Sequence, residues 1–598
     1  MNNHRVKTRL ISYLVVLASM VFVGSLAYAG GPLVMVNGSP VRWARNEVRG
    51  GALNSQTVDA SGRVLYRVDS GKLGTLSEEE ATILVDRIFK SYTDIPTANI
   101  EFVNAGRILD PGTRNPVNVT GSNAGRFLSS SSPTFQNPII FDNDGSITGG
   151  GGVLGFFGFL QADQFNATIR EGFVVLNGAA LKGSDALTTT SFLGVFTHEF
   201  GHFAGPLDHS QINGNIALNG SGSILPQGFS REQAYDLYAP FTETLFPFLF
   251  NAPLNAQLSG QFEDSGYFVA TLDMDTQNAL SNLYPTPDYL ASRGSIEGRV
   301  LLKYGSSAVP ISGINVIARR VDQGQYPPST TTLAFPLAPT IDGDGVPQIP
   351  SAQSATDPLA TAASAVTGLE FGAGTYRIQG LPPGQYMVQI QQINPNATGG
   401  SGIGPLGSQF TLPIKEEFFN GPNDSSNLSG TFVPVTVTAG GIAGGTDFVI
   451  NGISTLAPAP VNESEPNSKK KQAQQINSIP ADISAVAADG DSAELKMTLP
   501  GGVTDKVEDL YEITVTASRI VYVLLEPTSG AGDLDMYLYD SSVKKKKSSL
   551  NDSHLLGFSS GPTANELIAV QLVPGTYFIG VSAFEGSVNY RMRIFTSQ

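Results

Sequence analysis

The sequence predicts a multidomain protein, an α+β domain followed by two all-β sandwich domains. Three observations carry that expectation. At 598 residues the chain exceeds what one hydrophobic core holds, since domains rarely grow past about 250–300 residues. Helical apolar spacing is confined to roughly the first half, whereas alternating strand patterns run through the second. The composition, with 66 glycines, 37 prolines and 15% charged residues, favours β-rich modules joined by turns over long helical arrays.

The chain opens with His4, Arg5, Lys7 and Arg9, an apolar run from Leu10 to Val23, and the small-x-small site Ala27-Tyr28-Ala29. Residues 1–29 therefore read as a secretory signal, with Gly30 as the new terminus. An uncleaved anchor is the alternative, because the run is long enough to span a bilayer. No later stretch is apolar enough to do so. The expected location is outside the cell, without a stable membrane span once the signal is removed. There is no cysteine, which excludes disulfides, a thiol nucleophile, a thiol latency switch and lipoprotein processing, and is compatible with bacterial export. The net charge of −16 argues against a nucleic-acid partner.

Residues 30–290 read as the α+β domain. Val64–Val68 is a strand, and Ser77-Glu78-Glu79-Glu80 starts a helix with a capping box, burying Leu84, Val85, Ile88 and Phe89. Strands follow at Ile100–Val103, Asn137–Phe141 and Phe173–Asn177, the last expected at the sheet edge, where it can pair with an extended peptide. Asp142-Asn143-Asp144-Gly145-Ser146 follows directly on Asn137–Phe141. Its aspartates are candidate calcium ligands, although a turn in which they bond local amides is the favoured reading. Asp273–Leu283 is a closing helix ended by Tyr284-Pro285.

The centre of this domain is Thr197-His198-Glu199-Phe200-Gly201-His202-Phe203-Ala204-Gly205-Pro206-Leu207-Asp208-His209-Ser210, which holds three of the five histidines in the chain. Apolar positions at Phe192, Val195 and Phe196 start a helix that Thr188 or Asp185 can cap. His198 and His202 then lie one turn apart on one face and can meet a single ion. Glu199 is rotated by about 100°, beside the ion but off the ligand face, where it can take a proton from an activated water. Gly205 is expected to end the helix with left-handed angles. The competing reading is a helix whose histidines are merely buried and hydrogen-bonded. The gathering of a residue type this rare argues against it.

This region resembles the matrixin-like metzincin metallopeptidases. Besides the His-Glu-x-x-His run, the resemblance rests on Pro40-Val41-Arg42-Trp43, Leu76-Ser77-Glu78-Glu79-Glu80-Ala81, Asp142-x-Asp144-Gly145-Ser146-Ile147, and Leu272-Asp273 through Tyr284-Pro285. It implies a zinc ion held by His198, His202 and a third ligand, Glu199 as catalytic base, and a protein or peptide substrate. The family spacing H-E-x-x-H-x-x-G-x-x-H puts its last position at Asp208. Leu207-Asp208-His209-Ser210 instead resembles the family ending with Pro206 inserted, which assigns His209. Asp208 stays open as the alternative, as does a gluzincin-like ligand at Glu232 or Glu243. The family's methionine turn corresponds to Thr244-Leu245-Phe246-Pro247, with Leu245 where methionine is expected. The segment 211–270 is long for the family and suits a lid or specificity loop.

Residues 295–452 read as a β-sandwich. Gly380-Leu381-Pro382-Pro383-Gly384-Gln385-Tyr386 resembles the carboxypeptidase regulatory-like domain, and residues 322–372 form a Pro/Ser/Thr/Ala-rich insertion within it, expected to be mobile. Residues 453–462 form an Ala/Pro linker. Residues 463–598 resemble the bacterial pre-peptidase C-terminal domain, through Glu463-x-Glu465-x-Asn467, Asp533-Leu534-Asp535-Met536-Tyr537-Leu538-Tyr539 and Gly575-Thr576-Tyr577. Asp533 and Asp535 alternate on one strand face, as a calcium site or a solvated edge. Both modules are candidates to bind polymer or a cell surface, and for the last one the resemblance leaves a role in export, binding of polymeric substrate or removal by trimming open.

Two functions follow. One is an exported zinc endopeptidase. The other is a non-catalytic surface- or matrix-binding protein that keeps a degenerate metalloprotease fold, motivated by Pro206, Leu245 and the large share of β-structure.

Overall fold

The computed structural model describes residues 9–10, 33–36, 39–43, 57–149, 152–163, 166–184, 186–209, 212–219, 230–238, 242–249, 270–304, 307–321, 340–341, 347–348, 362–366, 374–393, 414–421, 425–426, 431–451, 459–488, 493–498, 504–543, 547–549, 553–559 and 566–597. Most of the signal region, most of the 322–372 insertion, Asp185 and much of 211–270 lie outside these residues. Contacts divide the chain into two compact units. One comprises Met1–Arg299, Asn315–Ser408 and Glu416–Phe448, and the other Val300–Ile314, Gln409–Lys415 and Val449–Gln598.

The first unit contains a six-stranded sheet. Its strands are β1 Arg42–Trp43, β2 Val64–Val68, β3 Phe102–Arg107, β4 Pro138–Asp142, β5 Gly155–Asp163 and β6 Thr168–Asn177. Strand β2 runs parallel to β3 and β4, and β6 runs parallel to β4 and β1. Only β5 is antiparallel, against β6. The region is thus mixed α/β on a largely parallel sheet, not the α+β arrangement expected. The burial explains why. Ile139 and Phe141 enter one core with the helices, while Ile140 and Val175 enter a second core with Ile108 and Phe127 on the other face. A sheet covered on both faces needs apolar runs without alternation, the signature of parallel strands.

The helices are α1 Glu78–Thr93, α2 Thr189–Ala204, α3 Gly214–Asn219, α4 Arg231–Tyr238 and α5 Met274–Leu283. Ser77 and Glu80 form the reciprocal capping box of α1. Thr188 caps α2 through the Ser191 amide, and Asp273 caps α5 through the Thr276 amide.

Three local expectations change. The strand expected at Ile100–Val103 forms two residues later. Phe173–Asn177 is not the outer strand, because β5 pairs along it from Gly155↔Leu176 to Asp163↔Thr168. The glycine-broken Gly155-Phe156-Phe157-Gly158-Phe159 run carries no alternation, so that strand was not predicted. Gly205 has φ −147°, which any residue adopts. Glycine is needed there for space, since a Cβ would lie 2.7 Å from Leu283 Cδ1 and 3.0 Å from Leu207 Cδ2.

Helix α2 is buried from Ser191 to Ala204 and fixed by polar contacts to its carbonyls. Tyr92 Oη donates to Thr197 O at 2.7 Å, Trp43 Nε1 to Phe203 O at 2.7 Å, and Tyr284 Oη to Ala204 O at 3.2 Å. Tyr66, Phe89 and Phe200 stack in series with centroids 4.1 and 4.3 Å apart.

The remainder of the first unit is β-rich. Strands β7 Ile314–Arg320, β8 Ala362–Val366, β9 Thr375–Leu381, β10 Gly384–Gln392 and β11 Glu417–Phe419 include the sheet order β8-β7-β10-β11. Strand β9 pairs instead with residues 294–299. In the second unit, Arg519–Asp540 and Gly575–Thr596 pair along nearly their full length, within an eight-stranded sheet beside a three-stranded one. Ala459–Asn462, at the end of the expected linker, is a strand paired with Ala481–Ser484. No helix among the described residues is long and apolar enough to cross a membrane.

Gly201 lies where α2 meets its neighbours, and a Cβ there would stand 2.7 Å from Leu245 Cδ2 and 2.8 Å from Tyr92 Oη. Overpacking of this kind costs about 1–3 kcal/mol. Gly201→Ala should therefore lower the unfolding free energy by that amount in a denaturant titration, with the m-value unchanged.

Candidate metal centre

The sequence of α2 places His198 and His202 on one face, and the chain leaving the helix brings back His209. Their three rings lie with centroids 4.7 Å (198–202), 5.6 Å (198–209) and 5.0 Å (202–209) apart. One ring nitrogen from each comes within 4.8 Å of the others. All three residues are buried.

The two helical imidazoles are oriented from behind. His198 Nδ1 is 2.8 Å from Thr244 O, and His202 Nδ1 is 2.5 Å from Leu207 O. A carbonyl accepts only, so each Nδ1 carries the proton and each Nε2 presents a lone pair. Those two Nε2 atoms stand 3.1 Å apart. Two nitrogen ligands on a tetrahedral zinc, at the usual 2.0–2.1 Å bond length, are separated by about 3.3 Å. The donor set therefore fits a small divalent cation, with carbonyl partners that fix the tautomer.

Burial pushes all three imidazoles below their ordinary range, and the neighbouring histidines push His198 and His209 further the same way; His202 falls to about 4. Neutral rings are the form that binds metal.

Glu199 lies beside this group on α2. Neither carboxylate oxygen finds a hydrogen-bond partner among the described residues, and burial holds the carboxyl well above its ordinary range. Strand β5 passes close to it. A Cβ at Gly155 would sit 2.8 Å from Glu199 Cγ and 3.0 Å from Oε1. Gly155 makes the room this side chain occupies, a role that sequence reading missed because β5 itself was missed.

Asp208 and Glu243 are buried but are not in the three-histidine group. The side chain of Glu232 lies outside the described residues. Leu245 is fully buried in the same core as Phe200 and Phe203. Its predecessor Thr244 supplies the carbonyl to His198, donates its own amide to Asp273 Oδ2 at 2.9 Å, and donates its hydroxyl to Thr271 O at 2.6 Å.

The calcium candidates divide. Asp142 Oδ2 accepts from the amides of Ile147 and Thr148 and from the Thr148 hydroxyl, and Asp144 Oδ1 accepts from the Ser146 amide. Those are turn contacts. Asp533 and Asp535 are joined by Glu566, and a further group comprises Glu463, Glu465 and Asp509. Asp535 is buried, so this pair is not simply a solvated edge. Burial pushes the Asp535 carboxyl upward, reinforced by Asp505, Glu566 and Asp533.

Residues 507–583 match the bacterial pre-peptidase C-terminal domain family. The chain thus ends in a domain typical of secreted bacterial peptidases. No curated protein matches the chain. Among solved structures, it is similar to the pre-peptidase C-terminal domain of a collagenase from Bacillus anthracis, at 14% identity over 22% of this chain and 99% of that one, with a TM-score of 0.16. The periplasmic g-type lysozyme inhibitor PliG from Aeromonas hydrophila shares 11% identity over 23% and 96% of the two chains, with a TM-score of 0.13. A carbohydrate-binding module of Cellvibrio mixtus lichenase 5A shares 13% over 19% and 98%, with a TM-score of 0.11. Likenesses this slight carry no argument about function.

Because burial keeps the imidazoles neutral well below pH 6.5, zinc loaded onto the chain should stay bound as the pH falls from 8 to 5 and leave only as it nears about 4. Dialysis at stepped pH with metal analysis reads this directly. Release centred near 6.5 would indicate solvent-exposed histidines instead.

Proposed function

We propose that the protein is an exported zinc-dependent endopeptidase of the matrixin-like metzincin type. One observation carries the reading. Three buried imidazoles converge, two of them locked by backbone carbonyls with their lone pairs 3.1 Å apart, beside a carboxylate that makes no hydrogen bond among the described residues. A structural zinc site closes its fourth position with another protein ligand. Here the neighbouring acid is one rotation off the ligand face. That is the arrangement for hydrolysis.

In this proposal His198, His202 and His209 hold the ion. Zinc, when bound, polarises the scissile carbonyl and lowers the pKa of water. Glu199 accepts the proton from the attacking water and passes it to the leaving amine. Its buried setting, which raises its proton affinity, suits both halves of that transfer. Strand β5 lies on the outer side of β6 and is a candidate to align an extended peptide along the edge that no other described strand pairs with. The C-terminal domain, of a type found in secreted bacterial peptidases, supports export and a peptidase role, and the β-rich modules are candidates for polymer or surface attachment.

The test uses residues 30–598. Zinc should bind at one ion per chain and the protein should cleave casein. Glu199→Ala should keep the zinc and lose about 100- to 10,000-fold in kcat. Cleavage equal to that of the parent would remove Glu199 from the reaction. Zinc bound without cleavage by the correctly processed chain would favour a binding protein. His209→Ala should lose zinc while Asp208→Ala keeps it, and the reverse pattern would move the third ligand to Asp208. Gly155→Ala crowds Glu199 without touching the histidines, so it should lower kcat by at least about 10-fold with zinc content unchanged.

A further inference from the structure

The stretch that follows His209 is built against the β-rich part of the first unit. Ile212 and Ile317 of β7 are both buried and pack together. Asn215 Nδ2 donates to Gln392 O at 2.8 Å. Ile216 shares a small core with Met387 and Phe418. Within this seam lies Arg319, a charged residue only 4% exposed. Its Nη2 donates to Asn213 Oδ1 at 2.9 Å and its Nε to Gln389 Oε1 at 3.3 Å. Asn213 holds a left-handed turn, with φ 61°, a conformation asparagine tolerates better than most residues.

The same stretch packs on the turn beneath His198, where a Cβ at Gly214 would run into Phe246 Cε2. Glu243 is buried; burial first, then the neighbouring Asp275 and Asp273, hold its carboxyl well above its ordinary range, while Arg319 and the Ile212 amide act in the opposite direction. Glu243 directly precedes Thr244, whose carbonyl receives the His198 Nδ1 proton. A carboxyl buried among other acids takes up a proton, so Arg319 acts on this turn through its hydrogen bond to Asn213 and not as a counter-ion.

We propose that Arg319 is a positioning residue of the metal centre, holding the Ile212–Asn213 turn that links the chain after His209 to the Glu243–Thr244 support beneath His198. The inference rests on the metallopeptidase reading and extends it. The second segment is then part of the apparatus that shapes the site, not only an attachment module. Partners that orient a metal's ligands typically contribute 10- to 100-fold to metal affinity.

The experiment measures zinc affinity of the full chain by competition with a chelating dye, with the visible spectrum of the cobalt-loaded protein as a second readout. Arg319→Met should weaken zinc binding 10- to 100-fold and alter the cobalt band. Arg319→Lys keeps a donor toward Asn213 Oδ1 and should recover most of the loss, a rescue that generic destabilisation would not give. Asn213→Gly keeps the left-handed turn but removes the acceptor, and should weaken zinc at least 10-fold. It carries the test if Arg319→Met does not fold. A parent chain that binds zinc while Arg319→Met, or Asn213→Gly in its place, binds it equally well overturns this inference alone. So does a loss in Arg319→Met that Arg319→Lys shares in full. A parent chain that takes up no zinc overturns the metallopeptidase reading and this inference with it.

Discussion

Two imidazoles on one buried helix face, each with its Nδ1 committed to a backbone carbonyl, leave two Nε2 lone pairs directed into the same small volume. Bringing two acceptors within 3.1 Å in a dry interior is unfavourable unless a cation lies between them. The carbonyls that impose this arrangement come from separate places. Thr244 O belongs to a turn standing on the Asp273 carboxylate, and Leu207 O belongs to the exit after Gly205. Helix α5 reaches both, because Asp273 is its cap and its Leu280 and Leu283 pack against Gly205. The closing helix therefore bears on the orientation of both imidazoles through these two supports.

What could be read from the sequence was local. Ser77 with Glu80, Thr188 with Ser191 and Asp273 with Thr276 are pairs three residues apart, and their chemistry is visible in the letters. The four-residue spacing of His198 and His202 is equally local, as is the rotation of Glu199 from them. What could not be read depended on distant partners. A parallel sheet was hidden because each strand shows only that it is apolar, not which face covers it. Strand β5 was hidden because glycine serves there for clearance against Glu199, not for pleat or turn. Gly205 stands out in the sequence for left-handed angles that it does not adopt; the constraint on it is steric and comes from Leu207 and from Leu280 and Leu283, more than seventy positions away.

Arg319 illustrates the same limit more sharply. In sequence it ends an ordinary alternating strand, Ile314-Asn315-Val316-Ile317-Ala318-Arg319-Arg320, where a charge reads as solvent-facing. Only the fold reveals that Arg319 is buried against Asn213 while Arg320 lies half-buried and donates to Pro383 O. Adjacent arginines on opposite faces of one strand thus have different roles, and the period of two was the only available hint.

Leu245 bears on whether departure from the methionine turn weakens the catalytic reading. What this turn presents to His198 is a backbone atom, the Thr244 carbonyl, while the Thr244 amide donates to Asp273. The side chain at 245 serves to fill the space under Gly201, where it approaches closely enough to exclude a Cβ. Leucine and methionine have similar volume, and exchanges between them in cores usually cost under about 1.5 kcal/mol. Methionine's flexible thioether lets it adapt to irregular gaps, but a turn already fixed by Asp273, Thr271 and Glu243 leaves little to adapt to. The substitution thus changes the filler and leaves the carbonyl that orients His198 in place, so divergence at this position is no argument against activity.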